Sequence, residues 1–380
     1  MAAQLPSVGK VARIERCAGR IPDPVKRLHY LRREMARRRF GFGQTATRIR
    51  HLGWMALPAL LFLLPGPRPK GAAETIERER GLTVRRADGA AVSPAVPKVW
   101  VVERNRSTEV FSNGLRVDLT FVTGNRPRAH FPIFSLAGSA TPVRYGEAPV
   151  GIVYHTTESL VPPFEEDENR RLRQLGRNLL DVIRGERAYH FLIDRFGRVY
   201  AVVAESDAAN HAGNSVWADS RGLYVNLNDS FLGVAFEAQT GAAEEVTPAQ
   251  IQSAKVLTEA LRSRYGIRAE DCVTHAQVSV NPANMRVGVH TDWAGDFPFA
   301  KLGLPDNYAV PLASVYALGF VADAVYDHVV GIKFGGAALA AAQLEKQAAA
   351  RGLAVAQYRA MLRRRYQEIA ADLKQNEGGN

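Results

Sequence analysis

The chain is poor in several features that would assign it a class at once. Its 380 residues include two cysteines, Cys17 and Cys272. They flank the apolar segment described below, so a membrane-spanning reading separates them, and no disulfide framework is implied. No uncharged apolar run reaches the ~20 residues of a spanning helix. No His-Glu-x-x-His pattern and no internal repeat is present. The body also lacks excess charge. The formal net charge is +11, but residues 1–50 hold thirteen Lys and Arg against three Asp and Glu, which leaves +1 for the rest. The body shows no basic stripe interleaved with aromatics, so nucleic acid is excluded as the main partner.

What is present suits a folded protein with a full core: the apolar content is an ordinary 46%. Residues 1–51 are a basic N-terminal region. Residues 52–65, Leu52 to Pro65, form an uncharged apolar run behind Arg37, Arg38, Arg39, Arg48 and Arg50. A run of this length fits a signal-peptide apolar region of ~7–15 residues better than a spanning helix. The preceding stretch is long for a signal, so the segment reads as a signal that starts downstream, at Met35 for instance, or as an uncleaved anchor. Gly71-Ala72-Ala73 offers a small-residue cleavage site. The positive flank predicts that the body lies outside the cytoplasm, periplasmic or otherwise extracytoplasmic.

Residues 66–97 read as a linker rich in Pro, Gly and charge. Residues 98–148 read as a small β extension, with Val99–Val102 and Leu115–Val122 on either side of the turn pair Asn113-Gly114. Residues 149–305 read as the catalytic domain. Val150-Gly-Ile-Val-Tyr-His155 and Phe231-Leu-Gly-Val-Ala-Phe-Glu237 are central strands, apolar throughout because both faces are covered. Tyr189–Ile193 and Arg198–Val203 are strands joined by a turn. Residues 166–184 carry leucines on one side of a helix. Thr247-Pro248-Ala-Gln250 is a capping box that opens a second helix, which stops at Gly266. Residues 306–380 form a helical extension. Its basic last helix reads first as a solvated face, and otherwise packs on the body or meets an anionic envelope surface.

Histidine is the informative residue. Nine are present, and five of them, His155, His190, His211, His275 and His290, sit in motifs within the catalytic domain. His155 ends a strand, where an imidazole opens into a site. Zinc catalysis takes three protein ligands and leaves one open position. His155, His275 and Asp292 are the candidate ligands, Glu237 the general base, and His290 or Tyr189 the oxyanion partner. Cys272 reads first as a buried small side chain. On a strand, Tyr189 and His190 point to opposite faces, so only one of them enters the site, and Tyr189 is favoured. Trp217 and Trp293 read equally as groove walls or core.

The motifs occur in a telling order: Val153-Tyr-His155-Thr-Thr, Tyr189-His-Phe-Leu-Ile-Asp-Arg-Phe-Gly-Arg-Val-Tyr200, His211-Ala-Gly-Asn-Ser215, Leu232-Gly-Val-Ala-Phe-Glu237, Thr274-His275 and Thr291-Asp292. Over residues 149–300 this set resembles the zinc-dependent N-acetylmuramoyl-L-alanine amidases that share a fold with peptidoglycan recognition proteins. The resemblance implies an α/β fold, a central mixed β-sheet flanked by helices. It implies Zn2+ and hydrolysis of the amide between N-acetylmuramic acid and L-alanine in peptidoglycan or muropeptides. Residue by residue, it implies His155, His275 and Asp292 as metal ligands, and Glu237 and Tyr189 as catalytic residues. His211, Asn210, Thr156 and Trp293 are expected to line the substrate groove. Two departures stand out. Sixteen residues separate His275 from Asp292, where the family usually has fewer than ten, and His290 stands where the family often has lysine, so that it either takes the lysine's role or displaces Asp292 as a ligand. The rivals are a non-catalytic peptidoglycan-binding module, which the intact ligand set opposes, and a zinc peptidase acting within the stem peptide, which the missing His-Glu-x-x-His helix opposes. The expected partners are the peptidoglycan substrate and, through segment 52–65, a membrane.

Overall fold

Near-continuous apolar runs become strands covered on both faces, and helices with one apolar side are laid over them. The computed structural model describes residues 97–128, 130–136, 138–240, 246–322 and 335–378. The basic region 1–51, the apolar segment 52–65 and nearly all of the linker lie outside the described residues. Among the described residues no helix is long and apolar enough to cross a membrane.

In chain order the strands are β1 (Val101–Arg104), β2 (Thr108–Phe111), β3 (Arg116–Asp118), β4 (Phe131–Phe134), β5 (Pro142–Gly146), β6 (Gly151–Thr156), β7 (Phe191–Ile193) and β8 (Val199–Ala201). They continue with β9 (Val216–Asp219), β10 (Gly222–Val225), β11 (Phe231–Phe236), β12 (Cys272–Thr274), β13 (Val280–Asn281) and β14 (Arg286–Val287). The longer helices are α1 (Asn169–Glu186), α2 (Pro248–Tyr265), α3 (Ala313–Leu318), α4 (Gly335–Ala349) and α5 (Val355–Gly378).

The expected mixed sheet is present, in the order β1-β2-β3-β8-β7-β11-β6-β12. Its centre is parallel: β11 pairs with β6 and β7, and β12 pairs with β6. β7 and β8 form the expected antiparallel pair. Every residue of β6 and β11 is buried, which is why both read as unbroken apolar runs. Leu180 and Ile183 of α1 cover one face, against Leu192 and Ala235. Ala254, Leu257 and Leu261 of α2 belong to the core that contains Ile152, Tyr154, Val234 and Phe236 of the alternate positions. The predicted capping box of α2 forms: Gln250 N donates to Thr247 Oγ1 at 3.1 Å and Thr247 N to Gln250 Oε1 at 3.0 Å. Gly266 ends the helix with a left-handed φ of 66°, as glycine can without strain.

Two expectations need correction. The first part of the small β extension read over 98–148 is not separate from the catalytic domain. β3 pairs in parallel with β8, so β1–β3 continue the domain's own sheet. The Asn113-Gly114 turn does form, but it joins β3 to β2 rather than to Val99–Val102. The nearer segment closes a tighter hairpin, and β1 then pairs on the outer side of β2. The last helix packs on the body. Tyr366 meets Phe320 edge to face at 4.8 Å, and Ile369 is buried. Arg365 is buried as well. Its guanidinium donates to Leu136 O at 3.1 Å, Ser139 O at 3.3 Å and Ala317 O at 3.4 Å, and also to Ser135 O. The basic run at 363–365 thus contributes an internal clamp.

Replacing Arg365 with methionine leaves these carbonyls without their donor. Arg365→Met should lower unfolding stability by ~2–4 kcal/mol, from a typical cost of ~1–3 kcal/mol per strongly unsatisfied buried group. Urea denaturation monitored by far-UV circular dichroism checks this. A change within experimental error would show that the clamp is incidental.

Candidate metal centre

Parallel pairing brings the two distant histidines together. Thr274 of β12 is in register with Tyr154 of β6, so His155 and His275 emerge side by side at the carboxyl ends of neighbouring strands. In open α/β sheets that end is where sites form. Thr274 N donates to Gln277 Oε1 at 2.9 Å and so caps the single helical turn His275–Val278. The sixteen-residue gap to Asp292 folds as the β13–β14 hairpin. Gly288 N donates to Ser279 O at 2.9 Å, closing the insertion on itself, and Ala276 N donates to Asp292 O at 3.3 Å. The long spacing is therefore accommodated without moving Asp292 away from His275.

The His275 Nδ1 atom lies 3.0 Å and 3.1 Å from the two Asp292 oxygens, and His155 Nδ1 lies 3.1 Å from Asp292 Oδ2. All three residues are buried, and their ligand atoms lie within 4.8 Å of one another. Burial alone would raise the Asp292 carboxyl, but the adjoining His275 and His155 imidazoles hold it well below the usual carboxylate range. Burial, then His275, pulls His155 down from 6.5 to about 4, so at neutral pH its imidazole is uncharged. His275 Nε2 is buried with no hydrogen-bond partner. Imidazole nitrogens and an ionised carboxylate converging at this separation form a donor set that could hold a divalent metal.

Tyr189 stands beside the cluster, its ring centre 5.0 Å from that of His155. Burial, followed by Asp292 and Glu158, raises its phenol above the usual range, so it keeps its proton. His290 lies flat on His275, with ring centres 4.3 Å apart and planes at 17°. Its backbone N donates to Ser279 Oγ at 3.2 Å, and burial, then His275, lowers its imidazole to about 4. Tyr189, which keeps its proton, and His290, which is exposed to solvent, are thus both placed at the cluster.

The other expected site residues engage partners of their own. Glu237 follows the last residue of β11, and its carboxylate accepts from Arg195 N at 3.2 Å and lies against Gly176 of α1. Burial raises it, and the leading charges on it are those of Asp194, Arg195 and Arg198. The β11 residue in register with His155 is Ala235. The exposed Asn210 donates to Glu186 O at 3.0 Å and so anchors the end of α1. Thr156 donates to Glu158 Oε1 at 2.7 Å. His211 does not face a groove. It is buried behind His155, with Nδ1 3.1 Å from His155 Nε2. His190 is core: Gly233 N donates to its Nδ1 at 2.9 Å, and its Nε2 donates to Asp207 O at 3.0 Å. Half-buried Trp293 packs on Phe236 and Phe297, and buried Trp217 donates to Asp271 Oδ1 at 3.0 Å. Cys272 is a fully buried thiol in β12, as read. Sequence reasoning missed Glu158, which Thr240 N also binds at 2.8 Å and whose charge reaches Tyr189. Its left-handed φ of 51° leaves no trace in the sequence.

Residues 145–292 match the family model described as N-acetylmuramoyl-L-alanine amidase, and this stretch is an amidase domain of that family. Similar solved structures include AmpDh3 from Pseudomonas aeruginosa, 20% identical, covering 54% of this chain and 95% of that chain with a TM-score of 0.36. The amidase LysC from Clostridium intestinale URNW is 24% identical over 48% of this chain and 93% of that chain, with a TM-score of 0.27. The amidase AmiD from E. coli, in complex with anhydro-N-acetylmuramic acid-L-Ala-D-gamma-Glu-L-Lys, is 21% identical over 52% of this chain and 65% of that chain, with a TM-score of 0.31. No curated protein matches the chain. The domain assignment rests on the family match.

The neutral core histidine makes stability depend on pH. Burial, then Arg128, lowers His190 from 6.5 to about 3. The unfolded chain takes up this proton near pH 6.5 and the folded chain only near pH 3, so the contribution is complete above 6.5 and is lost as pH falls toward 3. One extra proton bound by the unfolded chain gives a slope of ~1.4 kcal/mol per pH unit. His190→Asn should remove one proton's worth of that slope between pH 4.5 and 6 in metal-free protein. Denaturant melts at several pH values check this, and an unchanged slope would show that His190 does not titrate as described.

Proposed function

We propose that residues 149–305 form a zinc-dependent amidase that hydrolyses the bond between N-acetylmuramic acid and the L-alanine of the stem peptide, in peptidoglycan or a muropeptide. One observation carries this reading: His155 Nδ1, His275 Nδ1 and the Asp292 carboxylate meet inside the stretch that matches the amidase family. These three residues would hold the zinc, which when bound supplies Lewis-acid polarisation of the scissile carbonyl and a lowered pKa for water. Tyr189, protonated beside His155, donates a hydrogen bond to the oxygen that gains charge in the transition state. His290, held flat on His275, presents an N–H from a second direction. The Glu237 carboxylate, bound by Arg195 N, ties the 194–197 turn to α1 and takes no proton from the reaction. The Arg-rich flank before Leu52–Pro65 supports placement outside the cytoplasm, with the apolar run as signal or anchor.

Purified protein incubated with zinc and muropeptides should release stem peptides with a free L-alanine amino group, identified by mass spectrometry. Products cut within the stem would instead make it a peptidase. His155→Ala should lose both the metal and the activity. Tyr189→Phe should keep zinc and lower kcat by ~10²–10³-fold, the range for losing one oxyanion donor. Glu237→Gln should stay within about threefold of wild type, well short of the ~10²-fold cost of a lost general base. The opposite pattern in these two variants would return the catalytic role to Glu237.

A reporter fused after residue 100 should be active only outside the cytoplasm. Activity of that fusion inside would overturn the placement.

A further inference from the structure

We propose that His211 is a positioning residue for the metal centre: it accepts the Nε2–H of His155 and so leaves Nδ1 as the bare nitrogen that faces Asp292 and His275. The inference rests on the zinc reading above and concerns a residue that touches neither metal nor substrate.

Hydrogen-bond polarity carries the argument. His211 Nε2 lies 3.3 Å from Phe231 O, and a carbonyl oxygen can only accept. His211 therefore holds its proton on Nε2, and its Nδ1 is bare. That Nδ1 lies 3.1 Å from His155 Nε2, so His155 must donate there. An imidazole that binds a metal does so through a nitrogen that carries no proton, and with the His155 proton held on Nε2 that nitrogen is Nδ1. Nδ1 is also the nitrogen that faces the other proposed ligands, 3.1 Å from Asp292 Oδ2. The relay from Phe231 O through His211 thus selects which nitrogen of His155 can bind metal, the work that outer hydrogen-bond partners of metal-bound histidines perform.

The fold builds a seat for this ring. His211 lies over Gly233 of β11, where an added Cβ would come within 2.6 Å of His211 Cγ. Asn228 Oδ1 accepts from His211 N at 3.0 Å and from Ala212 N at 2.7 Å, which fixes the backbone that carries the ring. The Gly233 N–H is taken by His190 and does not compete for His211. The two rings of the relay meet edge to face, at 84°.

The test uses the full chain and zinc alone, with affinity read by competition against a chromogenic chelator. His211→Asn keeps an oxygen acceptor close to the position of Nδ1 and should stay within about threefold of wild type, whereas His211→Phe should weaken zinc ~10–100-fold, the range for lost outer partners. Gly233→Ala, which keeps His211 but displaces its ring, should weaken zinc as His211→Phe does. Thermal melts of the zinc-free proteins identify any variant that fails to fold. If His211→Phe fails, Gly233→Ala decides. In wild type, 15N NMR should place the His211 proton on Nε2, with or without zinc. Wild-type zinc affinity in folded His211→Phe, equal loss in the Asn and Phe variants, or a proton on His211 Nδ1 overturns the proposal while leaving the amidase reading standing. No zinc binding by the wild-type chain overturns both.

Discussion

The centre depends on the parallel pairing of β12 with β6. It places His275 next to His155 although 119 residues separate them. Side chains alternate along a strand, so a one-residue slip would turn His155 toward the core under α2 and bring Tyr154 to the site. Burial on both faces forbids the slip. Tyr154 is anchored on the α2 side, its hydroxyl 2.7 Å from Thr258 Oγ1, and its ring stacks on Phe297 at 4.5 Å. The packing that holds the sheet in register is therefore also what aims the imidazole.

Asp292 depends on a different kind of closure. Its distance along the chain from His275 has no structural cost, because the insertion pairs with itself as a hairpin and returns at Gly288 beside Ser279. Ser279 sits at the base of that hairpin and also accepts from His290 N, so the turn that restores Asp292 to the cluster sets His290 on the face of His275. The hairpin is braced in turn by the C-terminal part of the chain: Val287 N donates to Val321 O and Val321 N to Met285 O, both at 2.9 Å. A segment distant from the chemistry thus shares in holding a proposed ligand.

Much of the domain was legible. β6 and β11 read as central strands because buried parallel strands must be apolar on both sides, and α2 announced both its ends, through Thr247, Pro248 and Gln250 at one and Gly266 at the other. The histidines and Asp292 were legible as an ordered set. Less legible were the partners of each strand and the direction of each side chain. Asn113-Gly114 marked a turn but not which segment would pair across it. Glu237 had the position in sequence of a catalytic acid, yet its carboxylate turns to Arg195 N and α1. His211 looked like a groove residue and lies behind a proposed ligand.

The sequence alone determined the α/β class, the main strands and helix caps, and the residues able to supply metal chemistry. These follow from local rules: burial patterns, capping geometry and the donor atoms of side chains. Tertiary structure decided which of those residues meet, which nitrogen of His155 faces Asp292, and that the Glu237 carboxylate turns to Arg195 N. Such outcomes are set by register and hydrogen-bond polarity between segments far apart in the chain, where a contact made to Phe231 O reaches His155 through the His211 ring.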